Sequence, residues 1–410
     1  MKNKIYILGG FQTDFSKNYG KSKLGIEDII YDTISGGLSE STIKPQDIDV
    51  FHIGNFIGEL TAHQGHLGGF ISELFPQFTA IPAFRHEAAC ASGGLAVLSA
   101  MSDILSGRYS VAAAMGVEIE KNLSGDEVAD HLGIAAWYDK ECENVKYPWP
   151  KLFSDVGDEY DKRYGLDRKH LVAIGKSHYN NARTNLNAQT RKWKLSEESF
   201  STDNDFNPII TGRIRKQDCS QITDGGAIVF LANEEKAVAY AKDRNLSLNA
   251  LPYIKGWGHT TGPIQLKTKL ELSKDQEYIF PHLKKCTEDA LKRASMDDVF
   301  QLDAIETHDC FTTSAYMAID HFGITKPGEN WKAIEAGWLQ KEGKIPMNPS
   351  GGLIGGGHPV GATGVRMVLD AYKQVTNTAE GYQVNNCKNV GVLNIGGSVT
   401  TCVSFIIGRE

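Results

Sequence analysis

A cysteine, Cys90, stands where the stretch EAACASGGLAVLSA changes from a strand-like run into an apolar helix. Backbone N–H groups at the start of a helix stabilise an anion, so a cysteine at this place has the environment of a nucleophile with a lowered thiol pKa. The other interpretation is a small buried thiol packed among alanines, which is the usual state of an isolated cysteine. The motif alone leaves both open.

The stretch IETHDCFTTS places a histidine, an aspartate and a second cysteine at the end of an apolar run. If residues 302–310 are extended, alternation puts His308 and Cys310 on one face of the strand and Asp309 on the other. A metal site would need ligands from further segments, and the sequence offers neither another such cluster nor a CxxC pair. The pattern favours a cysteine–histidine pair that faces a shared site, without a metal.

A glycine-rich stretch, MNPSGGLIGGGHPVGATG, holds His358 among seven glycines at positions 351–364. The spacing matches neither GxGxxG after a strand nor GxxxxGK[ST], which argues against a nucleotide loop. A histidine held in a loop so poor in side chains is suited to proton transfer. Nearer the end, NIGGS sets Gly396 and Gly397 between two buried strands, where backbone N–H groups form either an oxyanion hole or a plain tight turn.

The elements that must position these residues alternate between strand and helix, which predicts an α/β fold. Buried strands such as KIYILGG and SVAAAMGVE are followed by segments with apolar residues at helical spacing. From about Lys121 to Gln221 the sequence is polar, aromatic and irregular, which predicts an insertion that covers something. YSVAAAMGVE and KNVGVLNIGGS are both buried strands that arrive at a glycine, so a duplicated unit is a hypothesis.

The composition describes an ordinary globular protein with more than one core, because 410 residues exceed what a single core usually supports. A net charge of −7 argues against general nucleic-acid binding. The basic stretch TGRIRKQD is either a phosphate-binding patch or, as we favour, a solvated face. We find neither a candidate membrane span nor a signal peptide, and seven irregularly spaced cysteines favour a reducing cytoplasm.

Taken together, CASGG, HDCF, NPSGGLIGGGHPVGATG and NIGGS, in this order, resemble the thiolase superfamily over essentially the whole chain, and GHPVGATG is a highly specific motif. Degradative and biosynthetic thiolases carry Asn-Glu-Ala-Phe where this chain has HDCF, and a catalytic cysteine where it has Asn394. The sequence is therefore most similar to the sterol-carrier-protein-type thiolases and their archaeal and bacterial relatives.

For the fold, the resemblance implies two similar βαβαβαββ halves in a five-layered α-β-α-β-α arrangement with an inserted loop domain. We expect residues 1–120 and 221–250 to form the first half, residues 121–220 the loop domain and residues 251–410 the second half. A homodimer or homotetramer is implied, and a small zinc-and-OB-fold companion protein is known for some relatives.

For the chemistry, the resemblance implies acyl-CoA thioesters as substrates, no tightly bound cofactor, and a reaction through acylated Cys90. His358 would activate Cys90, Cys310 would be the acid/base, and the backbone N–H groups of Cys90 and Gly397 would form an oxyanion hole. We expect His308 to hold a water or the enolate oxygen. The reaction is either condensation of acyl-CoA units or thiolysis of a 3-oxoacyl-CoA. The alternatives are acyl transfer to a non-CoA acceptor within a multi-subunit complex, and a non-catalytic CoA-binding subunit.

Overall fold

The molecule is built around strands that run through both halves of the chain. Most are rich in valine, isoleucine, leucine and alanine and are buried on both faces, as expected for strands covered by helices on each side. Among residues 4–410, which the computed structural model describes, the strands are β1 (Tyr6–Gln12), β2 (Val50–Gly54), β3 (Ala83–His86), β4 (Val111–Glu118), β5 (Ile209–Thr211), β6 (Ile214–Arg215), β7 (Gly225–Ala232), β8 (Tyr253–Thr261), β9 (Ala304–Thr307), β10 (Asn389–Gly396) and β11 (Thr401–Gly408).

The two halves repeat one pattern of strand pairing. In the first half, β2 is parallel to β4, β4 is antiparallel to β7, and β7 is antiparallel to β1. In the second half, β9 is parallel to β10, β10 is antiparallel to β11, and β11 is antiparallel to β8. β3 extends the first half at its outer edge, and β1 meets β8 at the pair Tyr6–Tyr253. The duplication suggested by the two similar strands is therefore a property of the fold.

Helices connect and cover these strands. None of the helices described in residues 4–410 is long and apolar enough to cross a membrane. They are α1 (Ile26–Ser41), α2 (Gly58–Thr61), α3 (Gly69–Leu74), α4 (Ser92–Leu105), α5 (Gly125–Leu132), α6 (Tyr138–Glu141), α7 (Pro148–Tyr164), α8 (Arg168–Ala182), α9 (Glu234–Asp243), α10 (Leu266–Leu272), α11 (Pro281–Arg293), α12 (Thr312–Phe322), α13 (Asn330–Glu335), α14 (Gly352–Gly356) and α15 (Thr363–Thr376).

Two central helices, α4 and α15, lie between the strands of the two halves and contact each other and both sets of strands. Helix α1 covers the outer face of the first half and α11 that of the second, which gives the five layers α-β-α-β-α. Glycines allow the central helices to touch. A Cβ atom on Gly364 would lie 2.2 Å from the backbone nitrogen of Gly94, and one on Gly93 would lie 2.7 Å from the carbonyl oxygen of Gly361. The backbones that carry the candidate residues thus approach closely.

The segment between β4 and β7 holds helices α5 to α8 and the two-stranded β5–β6 sheet. Helices α7 and α8 pack on α12 of the second half, and α8 also packs on α14. A backbone hydrogen bond from Ser220 to the carbonyl of Cys310, 2.8 Å long, ties this segment to the HDCF stretch. The segment therefore covers the side of the core on which the candidate residues lie. The domain boundaries near 120, 220 and 250 remain predictions.

Candidate active site

All the residues that the sequence singled out for chemistry line one cavity of about 350 Å³ between the core and the β4–β7 segment. Cys90, His308, Cys310, His358 and Gly397 each contribute to its wall. The rest of the wall is mainly apolar and includes Ala129, Leu132, Tyr147, Trp149, Phe153, Ile210, Phe311 and Val360. The fold thus joins residues from four separate stretches of the sequence.

A tight turn presents Cys90 at the start of α4. Ala89 has a positive φ of 52°, which is unusual for a residue other than glycine. The hydroxyl of Ser92 stabilises the turn, because it accepts a hydrogen bond from the N–H of Ala88 (3.0 Å) and donates one to the carbonyl of Ala89 (2.6 Å). The backbone N–H groups of Cys90 and Gly397 lie beside the Cys90 sulfur, where the sequence predicted an oxyanion hole.

Cys90, His308 and His358 form a compact group in which the sulfur and one nitrogen of each ring all lie within 4.8 Å of one another. The two imidazole rings are 5.1 Å apart between centroids and meet edge to face at 86°. Cysteine and histidine are also zinc ligands, and this is the one group of that kind among residues 4–410. The spacing places the thiol within reach of two groups that can exchange a proton with it or with a bound ligand.

Hydrogen bonds fix both the position and the proton of His358. Its backbone N–H donates to the hydroxyl of Thr223 at 2.9 Å. Its Nδ1 lies 2.6 Å from the hydroxyl of Thr363, which donates its own proton to the carbonyl of Pro359 at 3.0 Å. The Thr363 oxygen therefore accepts a hydrogen bond from Nδ1–H, and the lone pair of neutral His358 is on Nε2. His358 is in the tautomer that a base with a free Nε2 requires.

Burial keeps the Cys90 thiol and the imidazoles of His308 and His358 uncharged. Burial raises the pKa of the Cys90 thiol to about 12, and the nearby carboxyl of Glu120 adds to this rise. Burial also lowers the pKa of His358 to about 3, with a further contribution from the positive charge of Arg366. The pKa of His308 is lowered well below its usual value for the same first reason. The expected lowering of the Cys90 pKa by the helix is thus outweighed by desolvation.

The HDCF stretch separates its side chains as the alternation predicted, although β9 ends at Thr307. His308 and Cys310 line the cavity. Asp309 is fully buried, contacts Nδ1 of His178 at 2.7 Å and accepts a hydrogen bond from the N–H of Leu353 at 2.6 Å. Asp309 therefore anchors the start of α14 in the glycine-rich stretch.

Cys310 lies just before α12, and its sulfur is 3.6 Å from the hydroxyl of Ser314. That hydroxyl donates to the carbonyl of Phe311 at 2.7 Å, so the contact from Cys310 is S–H to oxygen. Burial raises the pKa of Cys310 well above its usual value, and the neighbouring Cys90 contributes to the rise. Cys310 is therefore a protonated thiol beside Cys90.

Two buried acids, one at the end of β4 and one two residues beyond it, were missed by the sequence analysis. Glu118 accepts hydrogen bonds from the N–H of Phe56 (2.9 Å) and of Gly361 (3.1 Å), and Glu120 accepts from the N–H of Val360 (3.0 Å). Together they hold the loop that follows His358, and Glu120 also lines the cavity. The signal was available in GVEIE, because two acids at alternate positions of an extended run share one face.

A buried lysine, also missed, supports the turn at Gly397. The ammonium of Lys269 donates to the carbonyl of Ser398 (2.5 Å), the hydroxyl of Ser398 (2.9 Å) and the hydroxyl of Thr400 (2.8 Å). Gly397 has a φ of 64°, in the left-handed region that glycine tolerates best. Lys269 thereby stabilises the turn that points the N–H of Gly397 at the cavity.

The arrangement can be compared with known proteins at the level of family. Residues 5–235 match the family described as "Thiolase, N-terminal domain", and residues 265–409 match "Thiolase C-terminal domain-like". The chain belongs to the thiolase family. In this chain, Cys90 of the first half shares one cavity with His308, His358 and Gly397 of the second.

Relatives of this thiolase carry different names. The chain is 29% identical to the acetyl-CoA acetyltransferase of Methanothermobacter thermautotrophicus, with 99% of each chain covered. It is 25% identical to sterol carrier protein 2 of Bos taurus, over 97% of this chain and 72% of that protein. Among solved structures, it matches one described as "Ltp2-ChsH2(DUF35) aldolase" with a TM-score of 0.76, 18% identity and coverage of 99% and 98% of the two chains. The last similarity is one of fold.

Proposed function

We propose that this thiolase is an acyltransferase that forms an acyl-Cys90 intermediate from an acyl-CoA thioester and transfers the acyl group to a carbon nucleophile. The observation that carries the proposal is the group of Cys90, His308 and His358 within 4.8 Å of one another, in a cavity that Cys310 also lines. Acyl transfer through a thioester needs a group that is both a good nucleophile and a good leaving group, and a thiol is both.

In the first half-reaction, the Cys90 sulfur attacks the thioester carbonyl and its proton passes to Nε2 of His358. The N–H groups of Cys90 and Gly397 hold the negative charge that develops on the carbonyl oxygen. The carbon–sulfur bond to CoA then breaks, and the leaving thiolate takes the proton from His358. The free Nε2 lone pair of His358 supports its role as the base.

In the second half-reaction, Cys310 first gives its thiol proton to Nε2 of His358, and the resulting thiolate removes the α-proton of a second acyl-CoA while N–H of His308 holds the enolate oxygen. The enolate carbon attacks the acyl carbon, the bond to Cys90 breaks, the Cys90 thiolate takes the proton from His358, and a 3-oxoacyl-CoA forms. Thiolysis is the reverse sequence. The position of Cys310 on the cavity wall, next to Cys90, supports this assignment.

Mass spectrometry after incubation with acetyl-CoA tests the proposal. We expect a mass increase of one acetyl group on the peptide that contains Cys90, and its loss in Cys90→Ser. Cys219→Ser is the matched control, because Cys219 also lines the cavity but has no assigned role. Acetylation of Cys219 instead of Cys90, or of no cysteine, would contradict the acyl-enzyme and favour a CoA-binding subunit without turnover.

Lys216 supports CoA as the carrier of the acyl group. Of the basic stretch TGRIRKQD, Arg213 pairs with Asp158 and Asp161, whereas Lys216 is exposed, lines the cavity and makes no ion pair within residues 4–410. A free cation at a cavity wall is suited to a phosphate group. Lys216→Ala should raise KM for acetyl-CoA several-fold and leave KM for acetyl-pantetheine, which lacks the nucleotide, unchanged. An equal rise for both would remove Lys216 from phosphate binding.

A carbon acyltransferase with a non-CoA acceptor is the second candidate. It is favoured by the structural neighbour described as "Ltp2-ChsH2(DUF35) aldolase", because that description joins an aldolase with a DUF35 protein. We also propose that this chain has a small zinc-and-OB-fold companion protein. The chain itself would form a homodimer or homotetramer and be located in the cytoplasm. To separate acyl transfer to acyl-CoA from transfer to a non-CoA acceptor, the acyl-enzyme is supplied with acetyl-CoA or with other carbon nucleophiles. The product is then identified by mass spectrometry.

A further inference from the structure

Asn394 is a fully buried polar residue in β10 to which the mechanism above gives no role. Its side chain lies between the two central helices and next to two active-site residues. A Cβ atom on Gly94 would lie 2.8 Å from Asn394 Oδ1, and one on Gly364 would lie 2.3 Å from it. The absence of side chains at these two glycines is what makes room for the amide, and the close fit leaves it little freedom to rotate.

Two backbone groups determine which way the amide of Asn394 points. Its Oδ1 accepts a hydrogen bond from the N–H of Gly94 at 3.2 Å, and its Nδ2 donates to the carbonyl of Cys90 at 3.0 Å. If the amide were flipped, a donor would face the N–H of Gly94 and an acceptor would face the carbonyl of Cys90. Both contacts would then be repulsive, so the observed orientation is the one that the backbone allows.

The same nitrogen of Asn394 lies 3.3 Å from Nδ1 of His308. An amide nitrogen can only donate, so Nδ1 of His308 must be the acceptor. The proton of the neutral imidazole is therefore on Nε2. A second proton, on Nδ1, would place its N–H against the N–H of the Asn394 amide, and the two donors would repel. This repulsion and burial both favour neutral His308.

We propose that Asn394 is a positioning residue that sets the tautomer of His308, so that His308 presents an N–H group to the oxygen of the bound substrate. This inference rests on the proposed function, in which that oxygen carries the enolate charge. It also gives the two histidines complementary states: His358 offers a lone pair through its contact with Thr363, and His308 offers a proton through its contact with Asn394. One accepts the thiol proton and the other stabilises negative charge on oxygen.

The tautomer of His308 can be measured without turnover. In protein labelled with ¹⁵N-histidine, a nitrogen that carries a proton and one that carries a lone pair have well-separated chemical shifts, and His308→Gln identifies the signals by their loss. We expect a protonated Nε2 and an unprotonated Nδ1 for His308, and the reverse pattern for His358. A proton on Nδ1 of His308, or a doubly protonated ring at neutral pH, would overturn the inference even if Cys90 is acylated. If His308 shows the expected protonation but acetyl-CoA does not acylate Cys90, the result would instead count against the proposed function alone.

Variants then connect the tautomer to the reaction. Asn394→Asp replaces the donor by a carboxylate that accepts from Nδ1–H, so the proton of His308 should move to Nδ1. We expect condensation to fall by about 10²-fold or more, with KM for acetyl-CoA changed less than about threefold, as for the loss of a transition-state donor. Asn389→Asp, in the same strand but at its start, is the control and should keep the parental tautomer and rate.

Because a buried carboxylate can impair folding, Asn394→Ala provides a second route. It removes the donor without adding charge, and it should yield a mixture of both His308 tautomers and an intermediate loss of condensation. Parental tautomer and parental condensation rate in a folded Asn394→Ala protein would overturn the inference.

Discussion

At the scale of single residues, Cys90 and His358, the proposed nucleophile and its proposed base, are both neutral before substrate binds. The pKa of Cys90 is raised to about 12 and that of His358 is lowered to about 3, so a preformed thiolate–imidazolium pair is strongly disfavoured. In the proposed mechanism, the proton leaves Cys90 only as the sulfur attacks a carbonyl whose oxygen is held by the N–H groups of Cys90 and Gly397. Such a site would discriminate against reagents that react with thiolates but offer no such oxygen.

This neutral state predicts the pH dependence of Cys90 alkylation. Because the thiolate is the reactive form and its fraction rises with pH up to a pKa of about 12, the iodoacetamide rate should rise about tenfold per pH unit from pH 6 to 9 without a plateau. Glutathione in the same buffers is the control, and the rise of its rate should slow as the pH approaches and passes its ordinary thiol pKa of about 8.5. A plateau for Cys90 already below pH 7 would indicate a preformed ion pair.

Cys310 predicts a separation of the two half-reactions. Cys310→Ala should still accumulate acetyl-Cys90 at close to the parental rate, because acylation needs no α-proton transfer. It should lose condensation and solvent deuterium exchange at the α-carbon by about 10²-fold or more. Cys310→Ser should behave similarly, because a hydroxyl is a much weaker acid than a thiol.

Cys219→Ala is the control for Cys310, since it removes a different thiol from the same cavity wall. It should retain both half-reactions. Blocked acylation in a folded Cys310→Ala protein would assign Cys310 to the nucleophile step instead.

The sequence analysis named four side chains that the fold brings to one cavity, but not the groups that orient them. Cys90, His308, Cys310 and His358 stand in motifs whose residue types indicate nucleophilic or acid/base chemistry. Asn394 was marked only by the resemblance, as the position where other thiolases carry a catalytic cysteine. The role proposed for it depends on a contact with a carbonyl 304 positions away. Residues that orient a catalytic group from a distant part of the sequence can be recognised only in the folded structure, once the strands are paired and the helices are packed.

At the scale of elements, the glycine-rich stretch has positions that demand glycine and positions that do not. A Cβ atom on Gly361 would lie 2.8 Å from the Cα of Asn55 and from the carbonyl oxygens of Gly54 and Val117. A Cβ atom on Gly356 would have its nearest neighbour, the carbonyl oxygen of Ser350, at 4.0 Å. The loop after His358 is therefore wedged against the backbone of β2 and β4, whereas the end of α14 has free space.

The contrast gives a matched pair of variants. Gly361→Ala should lower the free energy of unfolding by roughly 1–3 kcal/mol, because backbone atoms must shift, and should slow acylation through displacement of His358. Gly356→Ala should change stability by less than about 1 kcal/mol and leave acylation near the parental rate. Thermal unfolding and the rate of acetyl-enzyme formation measure both effects. Equal behaviour of the two variants would show that the close contacts at Gly361 relax freely.

At the scale of the whole molecule, the repeated pairing pattern was suggested by two short strands and a resemblance, but the strand order was not predictable from sequence. Each half begins with a strand, β1 or β8, that lies at the edge of its own set of strands, next to the other half. Nothing local in KIYILGG or YIKGWGH specifies those distant partners, because pairing depends on which faces the helices cover. The five layers arise when α4 and α15 pack between the two halves.

Buried histidines make the stability of the whole molecule sensitive to acid. His52, 2% exposed, has a pKa lowered to about 4, first by burial and then by the neighbouring His86. Between its ordinary pKa of 6.5 and this value the unfolded chain binds a proton that the folded protein does not. The contribution of His52 to stability therefore falls as pH decreases below 6.5, by up to about 1.4 kcal/mol per pH unit.

His52→Gln should accordingly lose less Tm than the parent protein between pH 6.5 and 4.5. His63→Gln, which changes an exposed histidine, is the control and should follow the parent. The comparison uses the slope of Tm against pH, so a uniform loss of stability from the altered packing does not affect it. Parallel slopes for all three proteins would assign the acid sensitivity to other groups.

The division of the active site between the two halves also has a consequence for the timing of activity during the life of the protein. Cys90 is synthesised long before His308, His358 and the Gly397 turn, and these complete its surroundings only after β10 and β11 have joined the sheet. A nascent or half-folded chain thus carries the thiol without the two histidines and the Gly397 turn that the proposed mechanism requires. On that proposal, incomplete chains would not consume acyl-CoA, and acylation of Cys90 would report that folding has reached its end.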